Sequence, residues 1–173
     1  MKPLFTMLAN YNQWANRRLF DAVGALSESQ YKADEGAFFG SLHGTLNHLL
    51  VGDRIWLSRF SGRGTAPARL DAIIAEDFAG LRREREATDA ASVEYVAGLT
   101  EDDLANEVTY TPVINPTTVR QPLAPALLHA FNHQTHHRGQ AHALLTRLTG
   151  DAPSLDLIYY QRQTGEGIRD WAA

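Results

Sequence analysis

The chain of 173 residues carries 16 Lys and Arg against 20 Asp and Glu, a net charge of −4, with seven His and no Cys. The missing Cys exclude a disulfide framework, a Cys-ligated zinc site, an iron–sulfur cluster and a Cys nucleophile. A mildly acidic chain without a basic block is a poor match for phosphate-driven nucleic-acid binding, so no nucleic-acid partner is expected.

At roughly 150 residues per domain the length predicts one domain over 1–173, large enough to bury a core without covalent staples. The first residues, MKPLFTMLANYNQWANRRLF, have their apolar run broken by Asn10, Asn12 and Gln13, which is unlike a secretory signal. No stretch approaches the roughly 18 apolar residues of a membrane span. The expected location is the cytoplasm, with no membrane partner.

Leu4, Leu8, Tyr11, Ala15 and Ala22 recur at helical spacing, and Pro3 suits a first turn, so a helix is predicted over about 3–23. Ser27 and Gln30 have capping-box spacing and mark a short helix. Ser41 caps a stronger pattern in which Leu42, Leu46, Leu49, Trp56 and Phe60 share a face, predicting a helix over 42–60 that stops at Ser61-Gly62. A polar linker, SGRGTAPAR, follows. From Leu70 to Leu99 the apolar spacing reads as one long helix, with LRRERE at its centre as a solvated face. Residues 106–121 instead alternate β-branched residues around the turn signal Asn115-Pro116, a short hairpin or long loop. A fourth long helix is predicted over about Pro125–Leu148, closed by Gly150, and Ser154 is positioned to cap a last short helix through Tyr160. Long amphipathic helices with a minor β element predict an all-α four-helix bundle.

Five of the seven His lie between His129 and His142. On a helical wheel His129, His133, His137 and Gln140 share the arc of Ala126, Ala130, Leu144 and Leu148, with His136 at its edge and His142 on the opposite, solvent-facing side. A lone core His is usually satisfied by backbone or water, but a cluster on a core arc asks for a common partner. Imidazoles four apart project from consecutive turns and can share one metal ion, and both His133/His137 and His129/His133 meet that spacing. The motif His-Gln-Thr-His-His puts Gln134 where a zincin has its glutamate base, which argues against that chemistry.

Two His are half a site. The second long helix, LNHLLVGDRIW, offers His48 beside the small residues Thr45 and Gly52, with His43 as the weaker candidate on the other flank. Asp53 sits in the middle of that helix's apolar stripe, where a carboxylate must be paired. Its expected role is to partner Arg138 or another buried donor; orienting an imidazole is the alternative. Trp56 reads as core packing, with a wall of the pocket as the alternative.

LNHLLVGDRIW followed far downstream by HAFNHQTHHRGQAHALL, with NYNQWANRRLF before them and PSLDLIYY after, resembles the DinB/YfiT-like family of metalloenzymes over nearly the whole chain. The resemblance implies a four-helix bundle holding a divalent metal, zinc or nickel, on three His, which carries over to His48, His133 and His137. It leaves His129 and His136 lining the pocket, and it implies a homodimer. Relatives in the family are largely transferases and isomerases that use low-molecular-weight thiols such as bacillithiol, mycothiol or glutathione. The expected partners are therefore a small thiol and an electrophile, with His136, His129, Gln140 or Asp53 as candidates for positioning groups or moving protons. Metal-assisted hydrolysis and a non-catalytic metal-binding stress-response role are the alternatives.

Overall fold

A computed structural model describes residues 1–115 and 117–169. Its long helices are α1 (Lys2–Val23), α3 (Leu42–Ser61), α4 (Phe78–Gly98) and α5 (Leu123–Thr149), with short helices α2 (Glu28–Lys32) and α6 (Leu157–Thr164). Strands β1 (Glu107–Tyr110) and β2 (Val119–Pro122) pair antiparallel, Glu107 opposite Pro122 and Tyr110 opposite Val119, so the 106–121 segment is a hairpin between the third and fourth long helices. Pro116, half of its expected turn signal, lies outside the described residues.

The long helices form a closed ring of contacts, α1 on α4, α4 on α3, α3 on α5 and α5 on α1. Local sequence explains most helix ends. The Ser27 side chain accepts from Gln30 N, and the Gln30 side chain returns the bond. The Ser41 side chain accepts from Gly44 N at the start of α3. Helices α3 and α5 both stop at a left-handed glycine, Gly62 (φ 66°) and Gly150 (φ 78°), a conformation that costs a side-chain-bearing residue.

Several expectations need correction. Residues 70–77 are not helical, and α4 begins at Phe78 with the Asp77 side chain accepting from Gly80 N. The apolar spacing of Ile73 and Ile74 mimics a helix, but tertiary hydrogen bonds capture this backbone. Asn47 Oδ1 accepts from Ile74 N (2.7 Å) and Ala75 N (3.2 Å), while Ala75 O receives His43 Nε2 (3.1 Å).

Secondly, LRRERE is not uniformly solvated. Arg85 is only 1 % exposed, and its Nη2 lies 2.6 Å from Asp53 Oδ2 and 2.8 Å from Asp89 Oδ1. Thirdly, α6 is preceded by Asp156, not capped by Ser154, whose carbonyl instead accepts from Arg18 Nε. Fourthly, His142 is half-buried, with its Nε2 3.1 Å from Pro153 O.

Ala126, Ala130 and Leu144 of the arc read off the wheel are buried, but the buried face of α5 extends beyond that arc. Leu127, Ala130, Gln134, Arg138, Ala141 and Leu145 are buried, while His129 and His136 are exposed and His133 and His137 half-buried. The reason is that α5 serves two neighbours. Arg138 Nη1 reaches across to α1, donating to Asn12 Oδ1 (2.5 Å) and Asn16 Oδ1 (3.2 Å), so the imidazoles fall on the flank that faces α3. Leu4, the first of the residues at helical spacing in α1, is 61 % exposed.

A polar layer thus crosses the bundle. Asn16 Nδ2 donates to Asp89 Oδ1 (2.9 Å), linking α1 to the Asp89–Arg85–Asp53 triad that joins α4 to α3. Above and below it lie two apolar clusters. One is built on Leu19, Phe20, Leu42, Leu46, Leu49, Leu81 and Leu145, and the other on Phe5, Val96, Leu104, Leu123 and Leu127. Each element contributes one apolar face, and burying these faces supplies the main driving force for docking.

Candidate metal centre

Helices α3 and α5 run antiparallel along one seam, and their contacts step in opposite directions. His48 meets His137, Gly52 meets His133, and Trp56 meets His129. His48, His133 and His137 are brought together so that one ring nitrogen from each lies within 4.8 Å of the others. The two α5 rings come from consecutive turns, with centroids 4.4 Å apart, and His48 comes from the opposite wall.

Gly52 makes this closeness possible. An ideal Cβ at that position would stand 2.8 Å from His133 Cε1 and 3.2 Å from its Nδ1. Gln134, the residue that replaces a zincin's glutamate, is buried and donates Nε2 to Leu49 O (2.9 Å), which fastens α5 to α3.

The bonding pattern fixes two tautomers. Leu70 O can only accept, so His48 Nδ1, 2.8 Å away, carries the proton and Nε2 presents a lone pair. Gln140 Oε1, 2.8 Å from His137 Nδ1, does the same for that ring. The two Nε2 atoms then face each other across 3.2 Å, lone pair to lone pair. Such a contact is favourable only with a proton or cation between them. The buried Nδ1 of His133 adds a third signal, because among the described residues it has no hydrogen-bond partner.

Burial holds all three imidazoles below their ordinary pKa. For His48 burial outweighs the Leu70 carbonyl, which favours the charged form. For His137 it outweighs Gln140. For His133 burial and then the neighbouring imidazoles lower it to about 3. All three are therefore neutral at pH 7, the protonation state that binds metal. Three neutral nitrogen donors in a preformed cluster, two of them already oriented, fit a divalent cation.

The other candidates fall around this group. Gln140 also sends Nε2 toward His136 Nε2 (3.3 Å), so it ties His136 to His137. His136 stands edge-on to His137, and His129 edge-on to Trp56. Asp53 belongs to the Arg85 triad, with Arg85 in the place expected for Arg138. Burial pushes its carboxyl up to about 6 although Arg85 opposes this. His43 bonds to the Ala75 carbonyl, away from the cluster.

Two contributors have no periodic signal in the sequence. Leu70, read there as helical, supplies its backbone carbonyl. Phe39, in the loop before α3, stacks on His48 with centroids 3.9 Å apart and stands edge-on to His137. Only the small residues beside His48 hinted at a close approach.

A helical bundle whose seam gathers three imidazoles around facing lone pairs defines a class of helical protein with a preassembled site compatible with metal binding. The chain belongs to the DinB family, whose sequence model matches residues 1–169. It is 27 % identical over 149 residues to Protein DinB of Bacillus subtilis (strain 168), covering 80 % of this chain and 82 % of that protein. Its fold is similar to the crystal structure of a DinB-like protein from Bacillus cereus ATCC 10987, with a TM-score of 0.63 at 18 % identity, covering 84 % of this chain and 91 % of that one. No helix among the described residues is long and apolar enough to cross a membrane.

Proposed function

We propose that the protein holds one divalent cation, zinc or nickel, on His48, His133 and His137, and is a transferase that joins a low-molecular-weight thiol to a small electrophile. The observation that carries this reading is the pair of imidazole lone pairs 3.2 Å apart, with a third neutral ring beside them. Among the described residues this ligand group contains no fourth His or carboxylate, as expected of a site that keeps a position for substrate. Neutral nitrogen donors suit zinc and nickel.

A divalent cation lowers the pKa of a coordinated thiol, which makes it a nucleophile at neutral pH. The protein's own residues prepare the place. The Leu70 carbonyl and Gln140 hold the His48 and His137 rings in one tautomer and one orientation. Phe39 stacks on one face of His48 and holds the ring's plane. The thiol gives up its S–H proton, and exposed His129 or His136 is placed to receive it. The sulfur electron pair then forms the new bond to the electrophilic carbon, and the displaced group departs with its own electron pair. Because the chain has no Cys, no protein thiol competes for the cation or the electrophile.

Hydrolysis would need a general base near the cluster; of the two candidates, Asp53 is committed to Arg85, while His129 would serve hydrolysis as well as thiol transfer, so the need for added thiol separates the two readings. The test is metal analysis and thiol conjugation with untagged protein. One equivalent of metal per chain is expected, falling at least tenfold in occupancy in His48→Ala, with conjugation of a chloronitrobenzene dependent on metal. Full-rate conjugation by metal-stripped protein would overturn the reading. Turnover of an ester without added thiol would replace it with hydrolysis.

A further inference from the structure

Arg59 lies eleven residues after His48 on α3, which brings it back to within about 20° of the same helical face, three turns further along. Its guanidinium carbon sits 4.7 Å from the Trp56 ring centre and 4.4 Å from that of Tyr110. Tyr110 is fixed in turn by Gln121 of the paired strand, whose Nε2 donates to the phenol oxygen (3.1 Å). Trp56 then meets His129 at 5.0 Å between centroids, and His129 meets His133 at 6.0 Å. Arg59, Tyr110, Trp56 and His129 therefore make one continuous wall that ends at the imidazole cluster.

The guanidinium on this wall is held but not neutralised. It is half-buried, and Nη2 donates one bond to Thr111 O (3.2 Å). Among the described residues no carboxylate lies within ion-pairing distance of it, although Arg54 of the same helix and Arg120 of β2 are paired with Glu84 and Glu107. A half-buried guanidinium stacked on two rings, with most of its N–H fork still open, is organised in advance for a bidentate anion.

We propose that Arg59 sets the specificity of the site by recognising a carboxylate on the small molecule whose reactive end lies at His48, His133 and His137. This rests on the reading of a substrate site at that cluster. From Gly52, level with His133, to Arg59 is about 10 Å along the helix, at 1.5 Å per residue. Helical side chains tilt toward the N-terminus, here toward Trp56, which shortens the span. The ligand is thus an acid of roughly tripeptide length or an elongated aromatic acid, and the carboxylate belongs either to the thiol or to the electrophile.

Calorimetry on zinc-loaded protein separates these. Glutathione against its diethyl ester tests a carboxylate on the thiol. 4-Chloro-3-nitrobenzoate against its methyl ester tests one on the electrophile. Wild-type protein is expected to bind the acid of at least one pair about tenfold more tightly than its ester, as loss of a charge-assisted pair predicts. Arg59→Met is expected to abolish that preference with unchanged metal content and melting temperature, and Arg59→Lys, which keeps the charge but not the fork, to retain part of it. No acid preference in the wild type for either pair, or an undiminished preference in Arg59→Met, overturns the assignment. The thiol reading fails separately if S-methylglutathione binds as tightly as glutathione, and the comparison of acids with esters still decides the role of Arg59.

Discussion

Gly52 controls how closely His133 approaches α3. A Cβ there would stand 2.8 Å from the ring, a separation that forces His133 to move because the glycine backbone cannot. Gly52→Ala is therefore expected to fold but to bind zinc at least tenfold more weakly, the range typical of lost support around a ligand. Competition titration against a chelator, beside a thermal melt, checks this; unchanged affinity would show that the ring can shift without harm. At this scale much of the site was legible. Spacing offers His48 beside Thr45 and Gly52 and puts His133 four residues before His137, and the resemblance to the family is what selects these three. The spacing left His129/His133 open as the alternative pair. The tertiary structure groups His133 and His137 with His48 and turns His129 to Trp56. What spacing could not show is which neighbour orients each ring, because Leu70 contributes a backbone carbonyl that carries no residue signature.

The segment between α3 and α4 is where the reading of elements departs most from the structure. Ile73, Ile74 and Phe78 sit at helical spacing, yet residues 70–77 are pinned as extended and turning chain across α3. Asn47, fully buried, holds this chain through two backbone N–H groups and also donates to Ala75 O. Local periodicity cannot register hydrogen bonds to a side chain 27 and 28 residues away. The consequence reaches the site, since the same segment presents Leu70 O to His48. Asn47→Ala leaves the Ile74 and Ala75 amides without their acceptor, at about 1–3 kcal/mol for each buried group left unsatisfied. It is expected to lower the melting temperature and to speed amide exchange over residues 70–75 while leaving α1 and α5 protected. Hydrogen exchange read by mass spectrometry distinguishes this from global loosening, which would raise exchange in every helix.

Across the whole molecule the four long helices are tied by buried polar groups as well as by apolar packing. Arg85 bridges Asp53 of α3 and Asp89 of α4, Asn16 of α1 bonds to Asp89, and Arg138 of α5 bonds to Asn12 and Asn16. Two nitrogens of Arg85, Nε and Nη1, have no partner among the described residues, so this layer is already costly to bury. Arg85→Met strands two buried carboxylates, and breaking such a network typically costs about 3–5 kcal/mol. A fall of about 10 °C or more in melting temperature is expected for a chain of this size, with partial recovery when Asp53→Asn is added. A melt of the double variant no higher than that of the single one would show that the carboxylates do not depend on Arg85. The opposed carboxylates also explain why Asp53, conspicuous in the stripe of α3, is a structural group here, with its bond directed to α4.

The sequence by itself determined the helical class of the fold, the helix stops at Gly62 and Gly150, a β-rich break between the third and fourth long helices, and which histidines lie on consecutive turns, because these rest on patterns within one segment; that the break is a paired hairpin came from the structure. Only the tertiary structure decided that Arg85 is buried, that α5 turns His129 and His136 outward, that residues 70–77 leave the helix, and that two imidazole lone pairs meet. Those outcomes depend on how whole helices rotate to satisfy two neighbours at once, and a helical wheel, which knows one helix at a time, has no access to that rotation.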